Sequence, residues 1–224
     1  MPSYKKHVIF SLIMALPFFP DVFYLSMAVI GSLIIDFDRK LINKNLIIMV
    51  GFGAVLSLVL YLLNLPLILG VILITLAFIF FISRHRGFMH SIFGIVVITA
   101  FLSFLVFGFY LLLGNFMNNL KVILIIISLV LGILIINKRL IIPFVILVPI
   151  GIGITPNSAL NVYHVLGALF IGCLSHIILD LLTPSGVSLF SPLSSKKYRK
   201  RMGIFLLVVW VFASVFYFFN YFVL

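Results

Sequence analysis

Residues 91–113 contain no charged side chain, and neither do the stretches 45–63, 67–83 and 203–223. Runs of this kind constrain the backbone before any side chain is considered. In hydrocarbon each unsatisfied N–H or C=O costs several kcal/mol, so only helices and closed barrels cross a bilayer. Spanning about 30 Å of hydrocarbon takes about 20 apolar residues in a helix. The apolar positions here do not alternate as barrel strands do, which leaves the helix.

Residues 161–182 form a further span, while 121–136 and 140–154 are a little short. Residues 8–19 and 22–35 are shorter still and are separated by "PFFPD" at 17–21, a break that fits either a tight helical hairpin or a re-entrant pair. The first of these stretches holds Pro17 and has no small-residue cleavage site, so it reads as a retained segment. Pro143 and Pro149 are expected to bend their segment. Hydrophobic residues make up 65% of the 224 residues, where roughly half is usual for a soluble domain. The expected fold is all-α: a polytopic transmembrane helical bundle, one integral membrane domain over residues 1–224 with about seven to nine segments.

The net charge of +11 does not imply nucleic-acid binding, because the fifteen lysines and arginines fall in short clusters between apolar runs. The clusters are Lys5 and Lys6, Arg39 with Lys40 and Lys44, Arg84 with Arg86, Lys138 with Arg139, and "KKYRKR" at 196–201. They alternate with "NLP" at 64–66, "GNFMNN" at 114–119 and "TPNSALN" at 155–161, which carry neither lysine nor arginine; Lys121 is the one stray. The positive-inside rule then predicts a multi-pass cell-membrane protein with a cytoplasmic N-terminus and a cytoplasmic basic loop at 183–202. The run 196–201 suits contact with anionic phospholipid headgroups.

The same alternation sorts the polar residues. His7, Asp36, Asp38, His85, His90, His176 and Asp180 fall on the cytoplasmic side, whereas Asp21 and His164 fall opposite. His176 and Asp180 are four apart, one helical turn, and can bind one ion or orient one another. Asp36 and Asp38 diverge on a helix but can flank a cation in a turn; the alternative is a solvated pair answering Arg39 and Lys40. His85 is expected on a connecting turn and His90 in the first turn of the next helix, with Gly87 between them. The alternative for both is an interfacial histidine beside snorkelling arginines. Ionisable groups inside apolar helices are costly and usually functional, which favours the metal reading. The single Cys173 excludes a disulfide framework and a thiolate-rich site, so the donors are nitrogen and oxygen and suit Zn²⁺.

The blocks "KKHVIFS", "IDFD", "HRGFMHS" and "LSHIILDLLTPSGVSLFSP" resemble the signature blocks of the YdjM family of inner-membrane metal-dependent hydrolases, from about residue 7 to 192. The resemblance implies metal-ligand roles for His7, Asp36, Asp38, His85, His90, His176 and Asp180, around one to three divalent ions. Among them His85, Asp36 and Asp180 are the expected catalytic residues, and Arg84 or Arg86 could clamp a substrate phosphate through a bidentate guanidinium. It further implies a distant likeness to zinc-dependent phospholipase C and P1-type nucleases, and hence a phosphoester or phospholipid-like substrate at the membrane face. The family pattern "PDIDH" is here "IDFDRK", so Ile35 and Arg39 replace the flanking proline and histidine. That change bears on the number of ions. The alternative is a non-enzymatic membrane protein that binds a metal or a cytosolic regulator such as the repressor LexA. A transporter would hold its site near the midplane, which these edge-placed residues do not.

Overall fold

A computed structural model describes residues 3–39, 44–83, 87–156 and 159–222. Its elements are α1 (Tyr4–Ala15), α2 (Val22–Ile34), a 3-10 helix (Ile35–Arg39), α3 (Lys44–Leu62), α4 (Ile68–Ile82), a 3-10 turn (Phe88–His90), α5 (Ile92–Gly114), α6 (Leu120–Ile135), α7 (Lys138–Ile154), α8 (Val162–Leu181) and α9 (Lys200–Phe222). Every apolar run forms a helix, and among the described residues the only β pairing is an isolated bridge between Val187 and Tyr198. By length and composition, residues 92–114, 162–181 and 200–220 can each cross a membrane, and the shorter apolar helices include 22–37, 46–62, 68–82 and 120–135.

The polar residues at the breaks have a local purpose. Asp21 accepts from the Phe23 N–H at 2.8 Å, Ser91 from Gly94 at 3.0 Å, and Asn161 from Tyr163 at 2.9 Å. Asn119 and Asn137 cap α6 and α7 in the same way. Each cap satisfies a first-turn N–H that a helix leaves open. The sharp changes from apolar run to Asp, Ser or Asn are therefore helix starts.

The inner helices are α2 and α8, which run in the same direction. Nearly all of α2 is buried. A Cβ on Gly31 would stand 2.5 Å from the Leu169 carbonyl oxygen, and one on Gly172 would collide with the carbonyl of Ala28. Only glycine permits this backbone-on-backbone approach. It is the small-residue packing expected where lipid tails are as apolar as leucine and area burial drives nothing. The Cys173 thiol adds a hydrogen bond to the Gly31 carbonyl at 3.2 Å. Helices α1, α5, α6 and α7 pack around this pair, α3 and α4 form a hairpin, and α9 lies outside. Gly203 rests on Leu181 and Leu182, and the Trp210 indole donates to the Met14 carbonyl at 3.0 Å. The outward face of α9 is almost wholly apolar: Phe212 and Phe216 are 71% and 70% exposed, as a lipid-facing helix requires.

Two sequence expectations change in detail. His90 sits in the 3-10 turn before α5 rather than in its first turn, because Ser91 takes the capping position. The last helix begins at Lys200, inside the basic run, so the loop between α8 and α9 ends before residue 202. Pro143 and Pro149 lie within one helix, which continues through both. The first two apolar stretches form an antiparallel helical hairpin of 12 and 13 residues.

Gly172→Ala should destabilise the protein by about 1–3 kcal/mol through overpacking against an unyielding carbonyl. Gly153→Ala, where a Cβ meets nothing within 4 Å, should leave stability unchanged. Thermal unfolding of both variants in detergent checks this.

Candidate metal centre

Four elements deliver the polar side chains to one place. His7 comes from the first turns of α1, Asp36 from the 3-10 helix that extends α2, His90 from the turn before α5, and His176 and Asp180 from the end of α8. The parallel course of α2 and α8 is what allows this. Beyond their close crossing at Gly31 and Gly172, one further turn on each helix reaches Asp36 and His176. Asp36 is 6% exposed, His7 1%, and His90, His176 and Asp180 not at all.

Nδ1 of His176 lies 2.6 Å from the Ser32 carbonyl oxygen. A carbonyl only accepts, so Nδ1 carries a proton, and Nε2 faces the acids. Nε2 stands 3.6 Å from Asp36 Oδ1 and 3.7 Å from Asp180 Oδ2. Asp180 Oδ2 is also 3.4 Å from His90 Nε2. The His7 ring stacks on His176 with centroids 3.9 Å apart and planes 13° apart. The His90 ring meets His176 edge-on at 5.4 Å.

Two overlapping triads follow, His7–His176–Asp180 and Asp36–His90–His176, in each of which one ligand atom per residue lies within 4.8 Å of the others. Four donors in tetrahedral array at the usual 2.0–2.1 Å from a zinc ion stand about 3.4 Å apart. The spacings above come close to that. The set is imidazole and carboxylate throughout, since Cys173 is engaged with Gly31 elsewhere in the bundle. Its chemistry could hold a divalent ion that accepts nitrogen and oxygen ligands.

The surroundings hold these groups in place. The Ile92 N–H donates to the Leu189 carbonyl at 2.9 Å, which ties the α8–α9 loop to the segment bearing His90. Val187 and Leu189 of that loop are each 1% exposed. The bridge between Val187 and Tyr198 closes the loop on itself, with Gly186 turning at φ 66°. Across the α5 start, a Cβ on Gly94 would collide with the Phe88 carbonyl, so that glycine lets the His90 turn sit directly on its helix. The Thr183 hydroxyl donates to the Asp180 carbonyl at 2.6 Å, finishing α8 one residue after its cap.

His7, Asp36, His90, His176 and Asp180 are thus brought together. Asp38 shares the 3-10 helix with Asp36, but its side chain lies outside the described residues, as do His85, Arg84 and Arg86. The opposite end holds His164 and Asp21, as the charge alternation predicts. There His164 packs edge-on against Tyr24 at 5.3 Å, and the Tyr24 hydroxyl accepts from the Asn161 N–H at 2.9 Å. The role of Ser32 escapes sequence reading, since a backbone carbonyl leaves no trace in residue type. His7 carries little signal alone, as terminal histidines are common, yet it packs flat on the central imidazole.

Nitrogen-15 NMR of the detergent-solubilised, metal-stripped protein should find His176 as the Nδ1–H tautomer when neutral. An Nε2–H tautomer would contradict the Ser32 contact.

Residues 3–223 match the YdjM inner membrane protein family. No curated protein and no solved structure matches the chain. With a buried His/Asp cluster in a bundle of apolar helices and a family match over almost its whole length, this chain belongs to the YdjM family of inner membrane proteins.

Proposed function

We propose that the chain is a membrane-bound, metal-dependent hydrolase that acts on a phosphoester at the cytoplasmic membrane face. The observation that carries this reading is the convergence of three imidazoles and two carboxylates, from four separate elements, in a buried cluster with metal-like spacing. His176 is its hub, because it belongs to both triads and its tautomer is held by Ser32. His90, Asp36 and Asp180 complete the first set of ligands and His7 joins from α1. His85 and Asp38 would extend the set to the seven implied by the family resemblance and allow up to three ions. A bound divalent ion supplies an acidified water, with a pKa near ~7, and a charge to balance the leaving oxygen. Asp36 and Asp180 hold the ion's donors in register, His85 is the remaining catalytic candidate, and Arg84 or Arg86 would clamp the phosphate.

The distance of the cluster from the membrane centre supports a headgroup-level substrate. Asp180 is the penultimate residue of α8 and His176 lies only one turn deeper, in a helix of 20 residues. At about 1.5 Å per residue the site is within roughly 10 Å of the helix end. A phospholipid or another lipid-linked phosphate fits that depth. The basic clusters support a cytoplasmic N-terminus and a single domain over 1–224.

One observation favours a second reading. Closed coordination is the mark of structural zinc sites, and these five side chains are at most 6% exposed. A metal-stabilised scaffold that presents its basic loop to a cytosolic regulator is the non-enzymatic alternative.

Protein purified in detergent should carry stoichiometric zinc by elemental analysis. His176→Ala should lower metal affinity by roughly tenfold or more, since even loss of an outer-shell partner costs about 10–100-fold. His164→Ala should retain the metal. Wild type without bound metal sinks the hydrolase reading. Metal-loaded wild type inert towards phosphodiesters and phospholipids leaves the scaffold in its place. Orientation is checked by membrane-impermeant thiol labelling, with native Cys173 buried. Ser195→Cys should label only from the cytoplasm and Asn118→Cys only from outside.

A further inference from the structure

An apolar groove of about 340 Å³ runs between α1, α2, α7 and the end of α6. Val8, Leu12, Val29, Leu140, Phe144 and Val148 form its walls. The one polar side chain is Ser26, whose hydroxyl is already engaged by the Phe23 carbonyl at 2.7 Å and by Ser128 at 3.2 Å. Its two ends differ. At the end away from the centre, Val22 packs onto Gly151 so closely that a Cβ there would stand 2.7 Å from the valine methyl, which draws α2 and α7 together. At the other end lie Val8, next to His7, and Leu140, in the first turn of α7. Lys5 and Lys6, just before Val8 in the chain, and Lys138 and Arg139, just before Leu140, are exposed at the starts of α1 and α7. Phe144 lies flat on Gly132 and fixes the position of the α7 wall against α6.

We propose that this groove binds one acyl chain of an anionic phospholipid, whose headgroup phosphate is held by Lys5, Lys6, Lys138 and Arg139 beside the candidate centre. Charge and shape both select this occupant. An apolar slot suits a hydrocarbon tail, and exposed cations at the starts of α1 and α7 suit a phosphate rather than a second apolar helix. An unpaired positive cluster there would repel the basic first turn of another copy of this chain. His7 and Val8 are consecutive on α1, about 100° apart around its axis, so adjacent faces of its first turns meet the cluster and the groove. A lipid seated here would bring its phosphate to the end of α1 that carries His7. Taking that lipid as the substrate rests on the hydrolase reading; occupancy of the groove does not.

Native mass spectrometry of the full chain, equilibrated with phosphatidylglycerol or phosphatidylcholine of the same chain length, tests this. Wild type should retain one phosphatidylglycerol through delipidation and release phosphatidylcholine more readily. Leu140→Trp, which fills the mouth of the groove, should lower phosphatidylglycerol retention by roughly tenfold or more, as expected when several methylenes lose their seat. The exposed pair Lys138→Gln with Arg139→Gln leaves the packed interior untouched and should reduce phosphatidylglycerol retention to the phosphatidylcholine level. Equal retention of the two lipids by wild type, or a charge-neutralised variant that still prefers phosphatidylglycerol, overturns the proposal. If wild type retains phosphatidylglycerol but hydrolyses no phosphoester, the hydrolase reading fails while the groove stands.

Discussion

The parallel crossing of α2 and α8 is the contact on which the rest of the structure depends. Gly31 and Gly172 let the two backbones touch, with Leu169 and Ala28 carbonyls where side chains would otherwise stand. That contact fixes the relative height of the helices. One residue beyond Gly31 the Ser32 carbonyl reaches His176, and one turn beyond each of these stand Asp36 and Asp180. A shift of one turn along either helix, about 5.4 Å, would separate Asp36 and the Ser32 carbonyl from His176. Packing of small residues in an apolar surround is therefore the mechanical basis of the polar site.

Lipid also explains why polar groups are so sparingly used. The breaks between helices place Asp21, Ser91, Asn119, Asn137 and Asn161 on first-turn N–H groups, and interior serines bond to carbonyls of the preceding turn, as Ser11, Ser32 and Ser175 do. These uses are local and follow from the need to satisfy polar groups away from water. The His/Asp cluster is different, because its members come from distant parts of the chain and meet side chain to side chain. Burying two carboxylates among imidazoles carries a desolvation cost that helix stability alone gives no reason to bear. A divalent ion offsets that cost through its own charge.

The candidate centre and the apolar groove both involve α1, through His7 and Val8. The α8–α9 loop is pinned through Leu189 to the start of α5, next to the turn that carries His90.

Much of this was legible in the sequence. Long uncharged runs allow no fold but helices, since hydrocarbon offers the backbone no other partner, and the run ends coincide with the helix ends to within a few residues. Charge alternation separated His164 and Asp21 from the cluster correctly, because membrane topology sorts residues by side without reference to tertiary contacts. Those two steps, together with the i, i+4 spacing of His176 and Asp180, determined the architecture and which side of it could hold a site. The tertiary structure alone decided which residues touch: that His7 stacks on His176, that the carbonyl of Ser32 sets its tautomer, that His90 sits in a 3-10 turn freed by Gly94, and that α1 and α7 leave a slot between them. Each of these depends on the distance between two helix axes and their relative height. A one-dimensional pattern specifies the faces that meet, but the depth of their contact is set by which glycines stand opposite which carbonyls.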